Sequence, residues 1–264
     1  MKTFCFFICV VSFLLTSVAL SPAKTEETSS SLPSKGVPIF LYHRFGHEIT
    51  DSMTVTVARF ESQLKHFREQ NSTIIPLRQL VDFILKKTPA LPPRSIVLTV
   101  DDGHKSVYTE MFPLIKKYRV PVTIFLYPSA ISNASYAATW AQLREMKESG
   151  FLDYQSHTFW HPNFKIEKRR LKQEEYESFV EIQLKKPKAR LEKEFSSKID
   201  MLAWPFGIYD EELMRKAKEA GYIAAFGMER RDVNGAENIM ALPRYLIADP
   251  MRKVKKESGL QNGS

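Results

Sequence analysis

The stretch Ile96-Val97-Leu98-Thr99-Val100-Asp101-Asp102-Gly103 decides the fold of this chain, because an apolar run ends abruptly on two adjacent carboxylates. Its first five residues are apolar or β-branched and predict a buried strand. Two neighbouring like charges repel each other, so each carboxylate must be paired, hydrated or bound to a cation. Successive side chains of a strand point to opposite faces. The stretch therefore predicts different tasks for Asp101 and Asp102, and the alternative is a solvated Asp-Asp-Gly turn.

Predicted strands and helices alternate along the chain on both sides of this strand. Such alternation is typical of a single α/β domain with a parallel sheet. About seven strands in this length favour a closed or nearly closed barrel. Further strands are predicted at 37–43, 73–77, 121–127, 151–156, 201–204, 222–228 and 242–247. Helices are predicted at 57–67, 77–87, 106–118, 139–149 and 210–220, with one or two more within 167–195.

Unusual polar groups follow directly after several of the predicted strands. His43 follows the first strand, Asp101 and Asp102 end the central one, and His157 and Pro205-Phe206 follow two later ones. In α/β folds the carboxyl ends of the strands build the site. The sequence therefore predicts that these groups meet at one end of the barrel.

The composition is that of a globular protein with a basic balance. Of the 264 residues 44% are apolar and 26% charged, and the formal net charge is +8. This balance suits anionic surroundings such as nucleic acid, acidic lipid headgroups or a charged cell-wall polymer. However, no basic block interleaved with aromatic residues is present, so nucleic acid is not a predicted partner. A solvated basic surface remains the default interpretation, and the sequence leaves the oligomeric state open.

The N-terminal stretch has the features of a targeting segment. Residues 1–23 combine a basic start, an almost wholly apolar run and the small residues Ser21-Pro22-Ala23, which predicts a cleaved signal peptide. An uncleaved membrane anchor is the alternative. Cleavage would remove both cysteines, Cys5 and Cys9, and leave no integral membrane domain. We therefore expect an exported protein, periplasmic or secreted to the cell surface. Residues 24–36 predict a flexible linker, 37–250 the folded domain and 251–264 a polar tail.

Two histidines, either one helical turn apart or gathered by a tight loop, complete a candidate metal site. His157 and His161 are separated by three residues, and Pro162 discourages a helix from continuing. Such a pair also occurs by chance, but a carboxylate with two imidazoles is a common ligand set for a divalent metal with open positions. The Asp that does not bind metal would serve as base towards a metal-activated water, and a further histidine would protonate the leaving group.

At these residues the sequence resembles the polysaccharide deacetylase family (NodB-homology domain, carbohydrate esterase family 4). Thr99 to Gly103 is similar to its first motif, Ser156-His157-Thr158-Phe159-Trp160-His161-Pro162 to its second, and Trp204-Pro205-Phe206-Gly207 to its third. The resemblance covers about Val37 to Asp249. It implies a distorted (β/α) barrel and metal-dependent removal of N-acetyl groups from an amino sugar. By carry-over, Asp101 would be the base, and Asp102, His157 and His161 would hold the metal, usually zinc, with cobalt or nickel as substitutes.

Two departures from the family pattern stand out. The third motif usually carries an arginine that orients the base, where this chain has Ala203, and Arg244 is a candidate replacement. The usual C-terminal Leu-x-His, which supplies the acid, is absent after His161, but Leu41-Tyr42-His43 has that form at the first strand. This arrangement resembles the circularly permuted branch, which includes exported deacetylases of poly-β-1,6-N-acetylglucosamine, and it implies that His43 protonates the departing amine.

The remaining candidates concern substrate contacts. The backbone N–H of Phe206 is a candidate oxyanion donor. Aromatic side chains are candidate walls against sugar rings, with core packing as the alternative, which we favour for Trp204. His104 either touches substrate or lies in a solvated turn. Peptidoglycan, chitin oligomers, a non-sugar amide and a catalytically impaired carbohydrate-binding domain remain alternative functions. The aromatic candidates are Tyr42, Trp160, Trp204 and Phe206, with Tyr127 and Pro128 as further lining residues.

Overall fold

A computed structural model describes residues 36–247 of the chain. The predicted signal peptide, nearly all of the predicted linker and the predicted polar tail lie outside the described residues and stay predictions. Within residues 36–247, no helix is both long enough and apolar enough to span a membrane.

The described residues alternate between strands and helices, as the sequence predicts. The strands are β1 (Ile39–Tyr42), β2 (Arg44–Gly46), β3 (Thr54–Thr56), β4 (Thr73–Ile74), β5 (Ser95–Asp102), β6 (Val122–Leu126), β7 (Leu152–Ser156), β8 (Met201–Ala203), β9 (Ala224–Phe226) and β10 (Tyr245–Leu246). The helices are α1 (Val57–Glu69), α2 (Leu77–Ile84), α3 (Phe112–Tyr118), α4 (Trp140–Glu148), α5 (Phe164–Arg170), α6 (Gln173–Phe195) and α7 (Glu211–Glu219).

The main sheet is parallel and curled into a distorted barrel. Its strands follow the order β10-β1-β5-β6-β7-β8-β9, and β4 pairs with β5 outside this path. A parallel bridge between Phe226 and Leu242 links β9 to the segment that leads into β10. The first strand of the domain thus lies between the central strand and the last one. The predicted α/β barrel, with a first strand placed beside the last, is confirmed.

Both faces of the central strand are buried, which explains its unbroken apolar sequence. Val97 packs with Ile39, Phe125 and other residues inside the barrel, whereas Leu98 belongs to the cluster on the opposite face of the sheet. Asp101 lies on the Val97 side and is 2% exposed. The strand alternation therefore directs Asp101 into the barrel.

Local sequence signals set several element boundaries. Thr139 caps α4 in a reciprocal capping box with Gln142, which satisfies two backbone donors at the helix start. Pro113 has no N–H to donate, and it lies in the first turn of α3, where such a donor is not needed. A π-helical turn at Val107–Met111 directly precedes this helix. The charged stretch 167–195 lies in two helices, α5 and α6, as predicted.

The small parallel sheet of β2 and β3 was not predicted from the sequence. It pairs Arg44 with Thr54 and Gly46 with Thr56, beside the carboxyl end of β1. Each strand has only three residues and no clear apolar alternation, so periodicity gives no signal for it. This sheet forms one rim of the cavity described below.

Candidate active site

A cavity of about 500 Å³ lies at the carboxyl ends of the parallel strands. His43 reaches it after β1, Asp101 and Asp102 end β5, and His157 and Phe206 follow β7 and β8. The predicted convergence of these residues at one end of the barrel is confirmed. The loops add residues that sequence reasoning did not single out, namely Arg44, Met53, Tyr136 and Met228.

Three side chains in the cavity form a candidate metal centre. Ligand atoms of Asp102, His157 and His161 all lie within 4.8 Å of one another. Asp102 Oδ1 lies 3.6 Å from His157 Nε2 and 3.8 Å from His161 Nε2, which is too far for hydrogen bonds.

The donor set and its burial fit a divalent cation. Asp102 Oδ1 is buried and has no hydrogen-bond partner within the described chain. Such an unpaired buried oxygen is costly, and a cation held by one carboxylate and two imidazoles would satisfy it. Burial raises the pKa of the Asp102 carboxyl, whereas a bound cation would favour its ionised form.

Both histidines of this centre present neutral imidazoles. His157 Nδ1 lies 2.8 Å from the backbone carbonyl of Ala203, which can only accept, so Nδ1 carries the proton and Nε2 keeps a lone pair. Burial lowers the pKa of His157 to about 3, and it also lowers the pKa of His161. A neutral imidazole oriented by a second hydrogen bond is the form that ligates a metal.

The loop between the two histidines is held by a side chain from a distant helix. Gln183, fully buried on α6, accepts hydrogen bonds through Oε1 from the backbone N–H groups of Phe159 (3.2 Å) and Trp160 (3.1 Å). Thr158 and His161 both adopt positive φ, at 66° and 61°, which non-glycine residues rarely do. Sequence reasoning missed Gln183, although a polar residue among the apolar positions of α6 was a usable signal.

Asp101 is held by Arg244 rather than by the metal-centre residues. Arg244 donates from both terminal nitrogens to the two oxygens of Asp101, each at 2.8 Å, and its Nε donates to the carbonyl of Gly227. Burial alone would raise the pKa of Asp101, but the charge and hydrogen bonds of Arg244 outweigh it and hold the pKa at about 2. Asp101 is therefore ionised at neutral pH. The structure thus brings the expected arginine replacement into contact with the expected base.

His43 and Phe206 lie on the same cavity. His43 Nδ1 is buried without a hydrogen-bond partner among residues 36–247, and burial lowers the pKa of this imidazole. Phe206 adopts φ 57°, and its ring meets His161 edge-on at 4.5 Å between centroids. More than half of the Phe206 side chain is exposed, so its ring is available at the mouth of the cavity.

Two of the aromatic predictions are decided by burial. The expectation that Tyr42 forms a sugar-binding wall is wrong, because the residue is 1% exposed, packs on Phe60 and donates its hydroxyl to Gln63. Trp204 is fully buried and donates its indole N–H to the carbonyl of Met240, which confirms the core-packing interpretation.

The other aromatic candidates differ in position. Trp160 is 49% exposed and packs on Phe179, outside the set of residues that line the cavity. Tyr127 lines the cavity, as expected, whereas Pro128 is buried and does not. Trp160 therefore stays a prediction for an outer contact.

Comparisons with known proteins agree with this geometry. Residues 88–225 match the family model for polysaccharide deacetylase. The chain is 24% identical over 214 residues to a poly-beta-1,6-N-acetyl-D-glucosamine N-deacetylase of Staphylococcus aureus, covering 80% of this chain and 73% of that protein.

Two solved structures share the fold. IcaB from Ammonifex degensii superposes with a TM-score of 0.75 at 21% identity, covering 88% of this chain and 100% of that one. The Streptococcus pyogenes deacetylase PplD in complex with acetate superposes with a TM-score of 0.71 at 20% identity, covering 80% and 92%. The chain belongs to the polysaccharide deacetylase family.

Proposed function

We propose that this protein is a metal-dependent hydrolase that removes N-acetyl groups from a polymer of N-acetylglucosamine, with poly-β-1,6-N-acetylglucosamine as its substrate. The observation that carries the proposal is the meeting, in one cavity, of the Asp102, His157 and His161 cluster with an ionised Asp101. The choice of polymer is supported by the staphylococcal relatives, whose names carry it.

We take the metal to be zinc, since two imidazole nitrogens and one carboxylate oxygen are a common zinc ligand set that leaves open positions. Cobalt and nickel suit the same donors. When bound, the ion would polarise the acetamide carbonyl and lower the pKa of water in the cavity.

The protein's own groups would then move the protons. Asp101 would accept a proton from the attacking water as the oxygen–carbon bond forms, and Arg244 would keep both carboxylate oxygens in position. The backbone N–H of Phe206 would donate to the carbonyl oxygen as its charge grows. His43 would give a proton to the sugar amine as the carbon–nitrogen bond breaks, leaving acetate and a free amine. Burial lowers the pKa of His43, so the protonated form that this step needs would be a stronger acid than an exposed imidazolium.

We also propose that the protein is exported and acts in the periplasm or at the cell surface. The support is the apolar N-terminal stretch with its basic start and the small residues that follow it. The proposed polysaccharide substrate would be encountered there.

The test is acetate release by the purified protein from β-1,6-linked and β-1,4-linked N-acetylglucosamine oligomers, with added zinc or cobalt and again with a chelator. We expect metal-dependent release, faster from the β-1,6-linked oligomer. Preference for the β-1,4-linked oligomer would move the substrate to chitin or peptidoglycan. No release from any oligomer by metal-loaded protein would overturn the proposed activity and favour a carbohydrate-binding role.

A further inference from the structure

One side of the cavity consists of three aromatic side chains that carry polar atoms, which we call the His104 wall and define as His104, Tyr127 and Tyr136. All three residues line the cavity. The rings of His104 and Tyr136 stack with centroids 6.3 Å apart and planes 9° apart. The hydroxyls of Tyr127 and Tyr136 are hydrogen-bonded at 2.7 Å. The wall therefore presents polar atoms from two different loops in one fixed arrangement.

Backbone hydrogen bonds join the loops that carry this wall. The N–H of Lys105 donates to the carbonyl of Tyr136 at 2.7 Å, and the N–H of Ala138 donates to the carbonyl of Gly103 at 3.0 Å. Gly103 has φ 75°, and a side chain there would meet Leu126 at 2.5 Å. This position therefore favours glycine, and the two backbone hydrogen bonds hold the loop that carries His104 against its neighbour.

The contacts of His104 fix which ring nitrogen carries its proton. The backbone N–H of Ser106, which can only donate, points to His104 Nδ1 at 3.1 Å, so Nδ1 is an acceptor. The N–H of Phe45 donates to Ser106 Oγ, whose own proton is therefore free to reach the same Nδ1 at 2.8 Å. A neutral imidazole with an accepting Nδ1 carries its proton on Nε2. Within residues 36–247, the Nε2–H of His104 has no acceptor, so it is free for a ligand in the cavity.

The wall suits an uncharged ligand. One of the paired tyrosine hydroxyls donates to the other, and the second keeps its hydrogen for a further acceptor. The nearby cation, Arg44, is paired with Asp51 at 2.6 Å, which offsets its charge at this rim. Neutral donors and acceptors in a fixed array match the hydroxyl groups of a sugar ring.

We propose that the His104 wall is the subsite that recognises the hydroxyl groups of the sugar carrying the acetamide, with His104 Nε2–H as its fixed donor. This inference rests on the proposed function and names the part of the same site that distinguishes an amino sugar from a simple acyl compound. We also assign the hydroxyl of Tyr136 a contact with the same sugar ring, although no sequence motif pointed to this residue.

Two amide substitutions separate substrate binding from loop support at His104. In His104→Asn the side-chain amide takes the place of Nδ1, so it can accept from Ser106 N–H but offers nothing at the Nε2 position. In His104→Gln the amide takes the place of Nε2 and restores a donor to the cavity, while the Nδ1 acceptor is lost. If His104 donates to the substrate, KM for an oligomer should rise more in His104→Asn than in His104→Gln. If His104 only supports the loop, the opposite order is expected.

The experiment measures acetate release from a β-1,6-linked N-acetylglucosamine pentamer and, separately, hydrolysis of para-nitrophenyl acetate, which has no sugar hydroxyl. For His104→Asn we expect a rise in KM for the pentamer of about three- to tenfold, the loss of one uncharged hydrogen bond, with kcat changed less. The ratio of kcat/KM for pentamer to kcat/KM for ester falls accordingly. We expect His104→Gln to recover most of this ratio. His47→Asn, at an exposed histidine outside the cavity lining, is the matched control.

Each outcome decides a different question. A His104→Asn protein with wild-type KM for the pentamer would overturn the assignment, as would a larger KM defect in His104→Gln than in His104→Asn, which is the order expected from loop support alone. A wild-type protein that hydrolyses the ester but releases no acetate from any oligomer would instead overturn the proposed function, and this inference with it.

Discussion

Arg244 and Asp101 are 143 residues apart in the sequence and form a two-pronged ion pair inside the barrel, with both nitrogen–oxygen distances at 2.8 Å. Both side chains are almost completely buried. Arg244 directly precedes β10, whereas the position at which the family usually carries an arginine is Ala203, at the end of β8. A guanidinium from the segment before β10 thus reaches Asp101 at the end of β5, because both side chains point into the same barrel interior.

Replacing Arg244 by Met is expected to cost both stability and activity. The substitution leaves Asp101 buried and unpaired, which typically costs about 3–5 kcal/mol in the free energy of unfolding. The wild-type pair stabilises the fold above the ordinary carboxyl pKa of 3.8 and loses this contribution as the pH falls towards about 2. Denaturant unfolding at pH 7 and at pH 3 measures the loss of stability and its pH dependence. The difference in free energy of unfolding between wild type and variant should narrow at the lower pH.

The double variant Arg244→Met with Asp101→Asn tests the cause of that loss. Removing both charges leaves no unpaired ion, so we expect the double variant to be more stable than Arg244→Met alone. A double variant that is no more stable would show that Arg244 acts through packing, for example on Phe125, rather than through the carboxylate.

The two adjacent carboxylates should respond differently to the same substitution. Asp101→Asn is expected to retain bound zinc and to lose about 10²- to 10⁴-fold in kcat, the usual contribution of a general base. Asp102→Asn is expected to lose zinc itself, because Asp102 supplies the carboxylate oxygen of the ligand cluster. Metal content by elemental analysis, measured beside acetate release, separates the two. Loss of zinc from both variants would contradict the division of tasks between neighbouring residues.

The fold was predictable because the pattern of this chain is simple where the barrel is formed. Continuous apolar runs such as that ending at Asp101 require burial on both faces, and here helices cover one face and the barrel interior covers the other. The same alternation applied to Tyr42 and His43 would have shown that one side chain faces the helices when the other faces the cavity. The error on Tyr42 came from reading the motif without its strand geometry.

The parts that the sequence did not reveal depend on contacts between distant segments. Gln183 acts on a loop more than twenty residues away: its place among the apolar positions of α6 marks the residue as unusual, but the sequence does not show which segment it contacts. The donor state of His104 depends on Ser106, which in turn is fixed by Phe45. Neither relation has a period or a motif, so both require the folded arrangement of the loops.

Gln183 is expected to control the affinity for metal without touching the ion. Gln183→Leu removes the acceptor for the N–H groups of Phe159 and Trp160, and the loop between the two histidine ligands loses its support. Supporting residues of this kind typically contribute about 10- to 100-fold in metal affinity. Competition with a chromogenic chelator measures that affinity directly. Gln173→Leu, at an exposed position on the same helix, is the matched control and should bind zinc as the wild type does.

The final prediction concerns His43 and the nature of the leaving group. A sugar amine leaves poorly unless it is protonated, whereas para-nitrophenolate leaves readily without a proton. If His43 supplies that proton, His43→Asn should lower kcat for an N-acetylglucosamine oligomer by about 10²- to 10⁴-fold and should lower ester hydrolysis far less. Zinc content should not change, because His43 is not one of the three clustered ligands. Equal losses on amide and ester would contradict a proton-donor role and would indicate that His43 helps to shape the cavity for both substrates.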